Sequence, residues 1–381
     1  MPELKFTQQQ EMLRKAVREF VEKEVKPVAR RIDTENHFPA DLFRKMGQLG
    51  FVGVFVPQQY GGAGLGQTER AIILEELGRH AAGFAMALMT HHLGVEAILA
   101  YGTEEQKRKH LPDLATGKKI SGLAVTEPTG GSDVAGQLAT AARENGDWVI
   151  NGRKCFITNS SNAEINVITA RTGEDAKGRP AFSAFIVESG MEGFSPGREE
   201  DKLGLRGSST GDLLLNNCRV GDAYLLGGEG NGMRMALALF TKIGRTGMAA
   251  IGLGIIRACL EEGVKFAKER VLYGKPLSKL QAIQFEIAQI RIDYEAARLL
   301  TYHSIALREG GAGADAEIAA AKYYATEGAV RAAKRTMDLM GGYGVINEYP
   351  VGRYLRDALT TISCGGTSHI MQIIIAGQTL N

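Results

Sequence analysis

Four stretches carry residue types whose spacing suits chemistry. AVTEPTGGSD (124–133) sets Gly130 and Gly131 beside Ser132. Glycines let backbone amides approach an anion closely, and the serine hydroxyl can meet a phosphate oxygen. ERVLYGKPL (269–277) sets Arg270 near Tyr273 and Gly274. A guanidinium there can grip a pyrophosphate bidentately while an aromatic ring touches a flat base. Standing alone, Arg270 reads as a solvated helix-end charge. AMALMTHHLGVEAILAYG (85–102) carries His91, His92 and Glu96. Helical spacing puts 84, 88, 91 and 95 on one face and 85, 88, 92 and 96 on an adjoining one. Glu96 at i+4 can orient His92, and an imidazole pKa of about 6.5 suits a base near neutral pH. The plainer alternative is that both rings are satisfied by backbone carbonyls. The fourth stretch, RDALTTISCGGTSHIMQ (356–372), is framed like a catalytic segment. Between Asp357 and His369, however, it holds no carboxylate, imidazole or amine.

The elements that must position these residues fall into three zones of an α+β multi-domain chain. Residues 1–119 read as a helical domain, with Leu13, Val17, Phe20 and Val21 at helical spacing. The Gly-rich YGGAGLGQTE (60–69) follows no clear strand and reads as an inter-helix loop. Residues 120–228 read as a compact antiparallel β-domain, with Asn151-Gly152 in DWVINGRKCFITN as a hairpin signal. INVITART, AFSAFIVES and DLLLNNCRV are its further strands. Residues 229–381 return to long Ala- and Leu/Ile-rich helical runs that suit a four-helix bundle.

With 381 residues and a net charge of +2, the chain can build a large core and has no general pull toward nucleic acid. Cys155, Cys218, Cys259 and Cys364 form no CxxC pair, so a disulfide framework or metal site is not expected. No HExxH, GxSxG or Walker A segment occurs. The start lacks an apolar signal region, and no uninterrupted apolar run is long enough to span a bilayer. The expected location is cytoplasmic, without membrane insertion.

In order and over essentially the whole chain, these motifs resemble those of the acyl-CoA dehydrogenase family. AVTEPTGGSD and KCFITN (154–159) resemble its two flavin segments. ERVLYGKPLSKLQAIQ (269–284) resembles the segment that reaches the FAD of a neighbouring subunit. MDLMGGYG (337–344) and EYPVGRYLRDA (348–358) resemble the stretches before its catalytic loop. The resemblance implies an FAD enzyme acting on acyl-CoA, a homotetramer, and an electron-transfer flavoprotein as electron acceptor. It puts Thr126 and Thr158 against the flavin ring, Phe156 at its flank and Ser132 at phosphate. By itself Phe156 reads as a core aromatic of a strand. Arg270, Tyr273, Gln281, Asp338, Gly342, Thr367 and His369 fall on further FAD positions. Asp338 stands where the family usually has glutamine, and an ionised Asp there would repel phosphate. His369 replaces a Gln or Glu. Met86, Met89, Ser132, Arg206, Arg245 and Gly365 fall to the acyl-CoA side.

The resemblance also locates the general base, a Glu that takes the α proton while flavin takes the β hydride. That position is Gly365, with Cys364 before it; the alternative helix position, before Arg245, is Gly244. General-base catalysis is worth roughly 10²–10⁴-fold. One expectation is a base relocated to His91, His92 or Glu96, acting on an alicyclic or already unsaturated thioester, with 1,4-elimination as one route. The others are a flavoprotein that has lost α,β-dehydrogenation and a non-catalytic acyl-CoA-binding subunit.

Overall fold

The computed structural model describes residues 5–380. The chain begins with α1 (Gln8–Phe20), opened by a capping box in which Thr7 and Gln10 satisfy each other's backbone N–H groups. Its apolar stripe buries Val17 and Phe20 and continues into Val21. Next come α2 (Ala29–Glu35), α3 (Ala40–Gln48), α4 (Gln67–Gly78), α5 (Ala82–Tyr101) and α6 (Glu104–Ala115). Only residues 61–66 of YGGAGLGQTE form a loop; Gln67, Thr68 and Glu69 are the first turn of α4, where Glu69 accepts from the Gly66 N–H.

β1 (Ser121–Ala124), β2 (Thr140–Glu144), β3 (Asp147–Thr158), β4 (Ile165–Glu174), β5 (Pro180–Glu188), β6 (Phe194–Glu199), β7 (Thr210–Val220) and β8 (Leu225–Leu226) form one sheet. Its order is β6-β7-β3-β2-β4-β5-β8, with β1 beside β4. Most pairs are antiparallel, but β1 runs parallel to β4. The domain is therefore mixed, because the chain enters from α6 beside a strand laid down later. The hairpin expected at Asn151-Gly152 is not there. β3 runs straight through that pair with a register shift against β7 between Ile150 and Gly152. The turn lies at Asn145-Gly146, both in the left-handed region, between β2 and β3. A glycine inside a strand marked an irregularity rather than a turn.

The chain then returns to helices: α7 (Gly232–Leu239), a π-helical segment (Phe240–Arg245), α8 (Thr246–Glu269), α9 (Gln281–Glu309), α10 (Asp315–Met340), α11 (Val351–Thr361) and α12 (Ser368–Leu380). α10 packs against α8, α9, α11 and α12. One core joins the two helical zones; a second, around Trp148, Phe185 and Leu213, lies inside the β-domain. Two helical stretches, Ala82–Tyr101 and Gly232–Glu269, are long and apolar enough to cross a membrane, contrary to the sequence expectation. Their apolar windows are 94% and 89% buried inside the fold, as core helices are.

The three zones are locked together by polar contacts. The Leu205 N–H donates to the buried Asp357 carboxylate (2.7 Å), and Arg356 grips Asp33 of α2 through both guanidinium nitrogens (2.9 and 2.5 Å). Burial pushes the Asp357 carboxyl up to about 6. Asn159, in the left-handed region at the end of β3, donates to the carbonyls of Ala87 and Ser121 and so fastens the β-domain to α5.

Candidate active site

The first group of site residues gathers where β1 ends and β3 ends. The Cys155 N–H donates to the Thr126 carbonyl (2.9 Å), drawing the Val125–Asp133 loop against β3. Between Lys154 and Ile157 the β3–β7 register shifts again. Phe156 sits in that bulge at φ +56°, with its ring 64% exposed, while Thr158 beside it is buried. A bulky residue in the left-handed region is strained and marks a functional position. An exposed phenylalanine with a threonine hydroxyl next to it fits the face of a flat, polar-edged ring. The core-aromatic alternative does not hold for Phe156. Ser132 is exposed on the loop and Thr126 is half-buried.

The second group lies on the C-terminal helices and is open on the surface of this chain. Tyr273 and Gly274 form the turn of a small hairpin, Val271–Leu272 with Lys275–Pro276, and Tyr273 is 89% exposed. The Arg270 guanidinium lies over the Tyr343 ring, 5.2 Å from its centroid. Gln281 is the first residue of α9 and is exposed, and Asp338 is exposed near the end of α10. Lys334 donates to both oxygens of the Asp338 carboxylate (2.7 and 2.5 Å). The repulsion expected from Asp338 is thus matched locally by a cation one turn earlier. Arg331, Lys334 and Arg335 line a 450 Å³ groove with it. Thr367 precedes α12 and accepts from the Ile370 N–H, and His369 is exposed.

The third group surrounds the position assigned to the base. Gly365 (φ +67°) and Gly366 (φ +103°) form a left-handed loop between α11 and α12. Lys322 of α10 holds that loop by donating to the carbonyls of Ile362 (2.7 Å) and Gly366 (2.8 Å). A Cβ placed on Gly365 would meet Met248 at 3.4 Å and the backbone of Gly244 at 3.7 Å. The Gly365 loop therefore packs directly on Met248 and the Gly244 backbone, while a Cβ on Gly244 would point at Phe240 and Leu93. Gly244 belongs to the π-helical segment, a local irregularity of the kind found at functional sites. That segment is held by the fully buried Arg70, which donates to Ile243 O and Thr246 Oγ1.

His91 and His92 do not reach this site. Both are fully buried. His91 Nε2–H donates to Leu114 O (3.2 Å) and its Nδ1 accepts from the Ser121 N–H (3.1 Å), which fixes one neutral tautomer. His92 Nε2–H donates to Val52 O (2.9 Å). Their rings pack edge-on against Phe43 and Phe55. Burial pulls His91 down to about 3 and His92 well below its ordinary value. Helical spacing was right about the faces of α5; what faces the histidines is the rest of the N-terminal domain. Met89 and Leu93 instead turn toward α8 and Gly244, and Met86 is half-buried. Glu96 is buried and pairs with Lys242 of the π-helical segment (2.5 Å).

Of the residues expected on the acyl-CoA side, Arg206 serves the fold. Arg206 donates to Asp33 O and to Asp201, tying its loop to α2. Arg245 donates to Thr241 Oγ1, while its buried Nε has no partner. Sequence reasoning passed over Lys154, Lys322 and Asn159, all fully buried polar residues. Next to Arg153 and Asn151 in DWVINGRKCFIT, Lys154 carries no sequence signal of its burial.

Three family models match the chain: the acyl-CoA dehydrogenase N-terminal domain over residues 7–118, middle domain over 122–218 and C-terminal domain over 230–380. An acyl-CoA dehydrogenase of Bacillus subtilis is 43% identical, with 98% of each chain covered. The chain belongs to the acyl-CoA dehydrogenase family. A 3-(aryl)acrylate reductase of Clostridium sporogenes is 39% identical over 98% of this chain and 99% of that protein. The butyryl-CoA dehydrogenase structure from Megasphaera elsdenii superposes with a TM-score of 0.96 at 33% identity, covering 100% of both chains. This member is accordingly an FAD-dependent oxidoreductase of CH–CH bonds in acyl-CoA thioesters.

Proposed function

We propose that this protein oxidises or reduces a CoA thioester whose acyl group is bulky near the carbonyl, alicyclic or already α,β-unsaturated. The observation that carries this is the pair of glycines, Gly365 and Gly244, packed together where the resemblance places a carboxylate. Both positions the resemblance gives to the base lack a side chain, which supports a substrate other than a plain saturated thioester. FAD, when bound, exchanges a hydride with the substrate carbon. Thr126, Phe156 and Thr158 would hold its ring and Ser132 a phosphate. Arg270, Tyr273, Gln281, Asp338 with Lys334, Gly342, Thr367 and His369 would hold the FAD of a neighbouring subunit. Exposed Phe285, Ile292 and Leu299, at seven-residue intervals along α9, support burial against another copy in a homotetramer.

Of the three α5 residues, Glu96 alone meets the segment that carries Gly244, through Lys242. It is the relocated proton acceptor in this scheme, suited to a proton lost further along an unsaturated thioester. Met86 and Met89 shape the acyl end. Electrons leave to an electron-transfer flavoprotein.

A different observation favours the reductive direction. Lys322 is buried and Lys202 half-buried, desolvation pulls both down to about 8, and neither has a carboxylate partner among the described residues; they donate to Ser208 and Thr210, and to the Gly365 loop. Ammonium groups serve reduction, which must deliver a proton to the α carbon.

Steady-state turnover decides between these readings. Saturated, cyclic and unsaturated acyl-CoAs are each supplied with an oxidised and, separately, a reduced electron carrier, and products are identified by mass spectrometry. Turnover of cyclic or unsaturated thioesters, lost in Glu96→Gln, supports the proposal. Efficient turnover of butyryl-CoA by the unaltered protein contradicts it. Tight binding without turnover of any thioester points to a flavoprotein of other chemistry or to an acyl-CoA-binding subunit.

A further inference from the structure

Lys154 is the largest charged side chain in the β-domain core, and the chemistry above does not use it. It is fully buried on β3, the last residue paired in regular register before the bulge that carries Phe156. A buried ammonium is costly unless its protons are all taken up. Here each has an acceptor: Glu127 Oε1 at 2.7 Å, Gln137 Oε1 at 2.7 Å and Val125 O at 3.3 Å. All three acceptors belong to the loop that follows β1. Glu127 is itself buried, and its carboxylate accepts from the Leu138 N–H (2.6 Å) and the Ala139 N–H (3.1 Å). Thr169 of β4 closes the network by donating to Gln137 Oε1 (2.7 Å).

The network joins the two ends of one loop and the strand that carries Phe156 and Thr158. Thr126 lies between two of the Lys154 acceptors, and its carbonyl takes the Cys155 N–H next door. A phenylalanine kept in the left-handed region needs surroundings that over-determine it. Lys154 supplies them from directly beneath the bulge.

We propose that Lys154, paired with Glu127, is the positioning residue of the flavin site: it sets the spacing between Thr126 on the loop and Phe156–Thr158 on the strand. This rests on those three residues being the flavin contacts. Lys154 touches neither flavin nor substrate in this scheme and acts only through the residues it holds.

The test uses the full-length holoenzyme and four variants: Lys154→Met, the charge-balanced double Glu127→Gln/Lys154→Met, Phe156→Ala, and Trp148→Phe as a change in the same core away from the loop. Three quantities are read for each: the FAD dissociation constant of the apoprotein, the position of the oxidised flavin bands, and the melting temperature of the apoprotein. The double variant leaves no unpaired buried charge, so it reports even where Lys154→Met fails to fold. The expected result is FAD binding weakened at least tenfold with shifted flavin bands in the double variant. Trp148→Phe lowers the melting temperature but leaves affinity and spectrum unchanged. A double variant that binds FAD within twofold of the unaltered protein, with the same spectrum, overturns the proposal. Phe156→Ala separates the two levels. If it leaves affinity and spectrum unchanged, the assignment of the flavin contacts fails. If it alters them while the double variant does not, only the role of Lys154 fails.

Discussion

The bulged end of β3 and the loop at Gly365 are built in opposite ways. At β3 a strained aromatic stands on a buried ion pair, with acceptors for every Lys154 proton. At Gly365 a left-handed loop without an acid or base is held by one lysine through two backbone carbonyls. The first region fixes side chains in place; the second fixes only a path of backbone, packed on Met248 and Gly244. Most residues that the resemblance assigns to FAD keep the family type, Asp338 and His369 excepted, whereas both positions it assigns to the base are glycine. A non-catalytic subunit would have no use for the strained Phe156 or its support.

The sharpest way to break this contrast is to put the carboxylate back. Gly365→Glu should raise the rate of flavin reduction by butyryl-CoA roughly 100-fold, within the range of general-base catalysis, followed by anaerobic stopped-flow absorbance. The left-handed backbone at Gly365 makes the variant less stable by about 1–3 kcal/mol. No gain in a folded variant would mean that the site no longer presents the α carbon to that position.

The buried histidines come next. His91 is held neutral by burial, its pKa lowered to about 3 from an ordinary 6.5, and His80 is lowered to about 4. The unfolded chain binds more protons than the folded one between those values. Stability is therefore complete above about pH 6.5 and falls as pH drops toward 3, by roughly 3–5 kcal/mol for His91 alone. His91→Gln should flatten that slope in urea titrations at pH 7, 5 and 4. Flavin reduction by the true substrate should be unchanged in folded His91→Gln and His92→Gln, and its loss would return the histidines to the chemistry.

Lys322→Met should loosen the Gly365 loop while sparing the β-domain. About 2 kcal/mol of stability and the hydrogen-exchange protection of residues 362–366 would be lost, with FAD affinity unchanged. Smallest of all is Asp338→Gln. Lys334 already answers the Asp338 charge at an exposed site, so FAD affinity should move by less than threefold; a larger rise would mean that Lys334 turns away when FAD binds.

Much of the fold was legible because long apolar periods and turn residues are local signals. Val17, Phe20 and Val21 appeared buried on one helical stripe, as their spacing required. Asn151-Gly152 misled because the same dipeptide serves a hairpin turn and an irregular strand, and only the pairing with β7 separates them. Exposure followed the sequence at Tyr273, which the turn residue beside it leaves open to solvent. The site was not legible where a polar side chain works inside the core. His91 and His92 look like chemistry in the sequence and are structural. Lys154 looks like an ordinary strand lysine and holds the loop. What distinguishes them is the carbonyl, amide or carboxylate brought opposite by distant parts of the chain.

The most direct test of the central claim is an anaerobic titration of the purified flavoprotein with a panel of acyl-CoAs, watching the oxidised flavin band. The account predicts bleaching by a cyclic or unsaturated thioester and none by butyryl- or octanoyl-CoA. Rapid bleaching by butyryl-CoA in the unaltered protein would contradict it, because an effective α-proton base would then be present despite the glycines at 244 and 365.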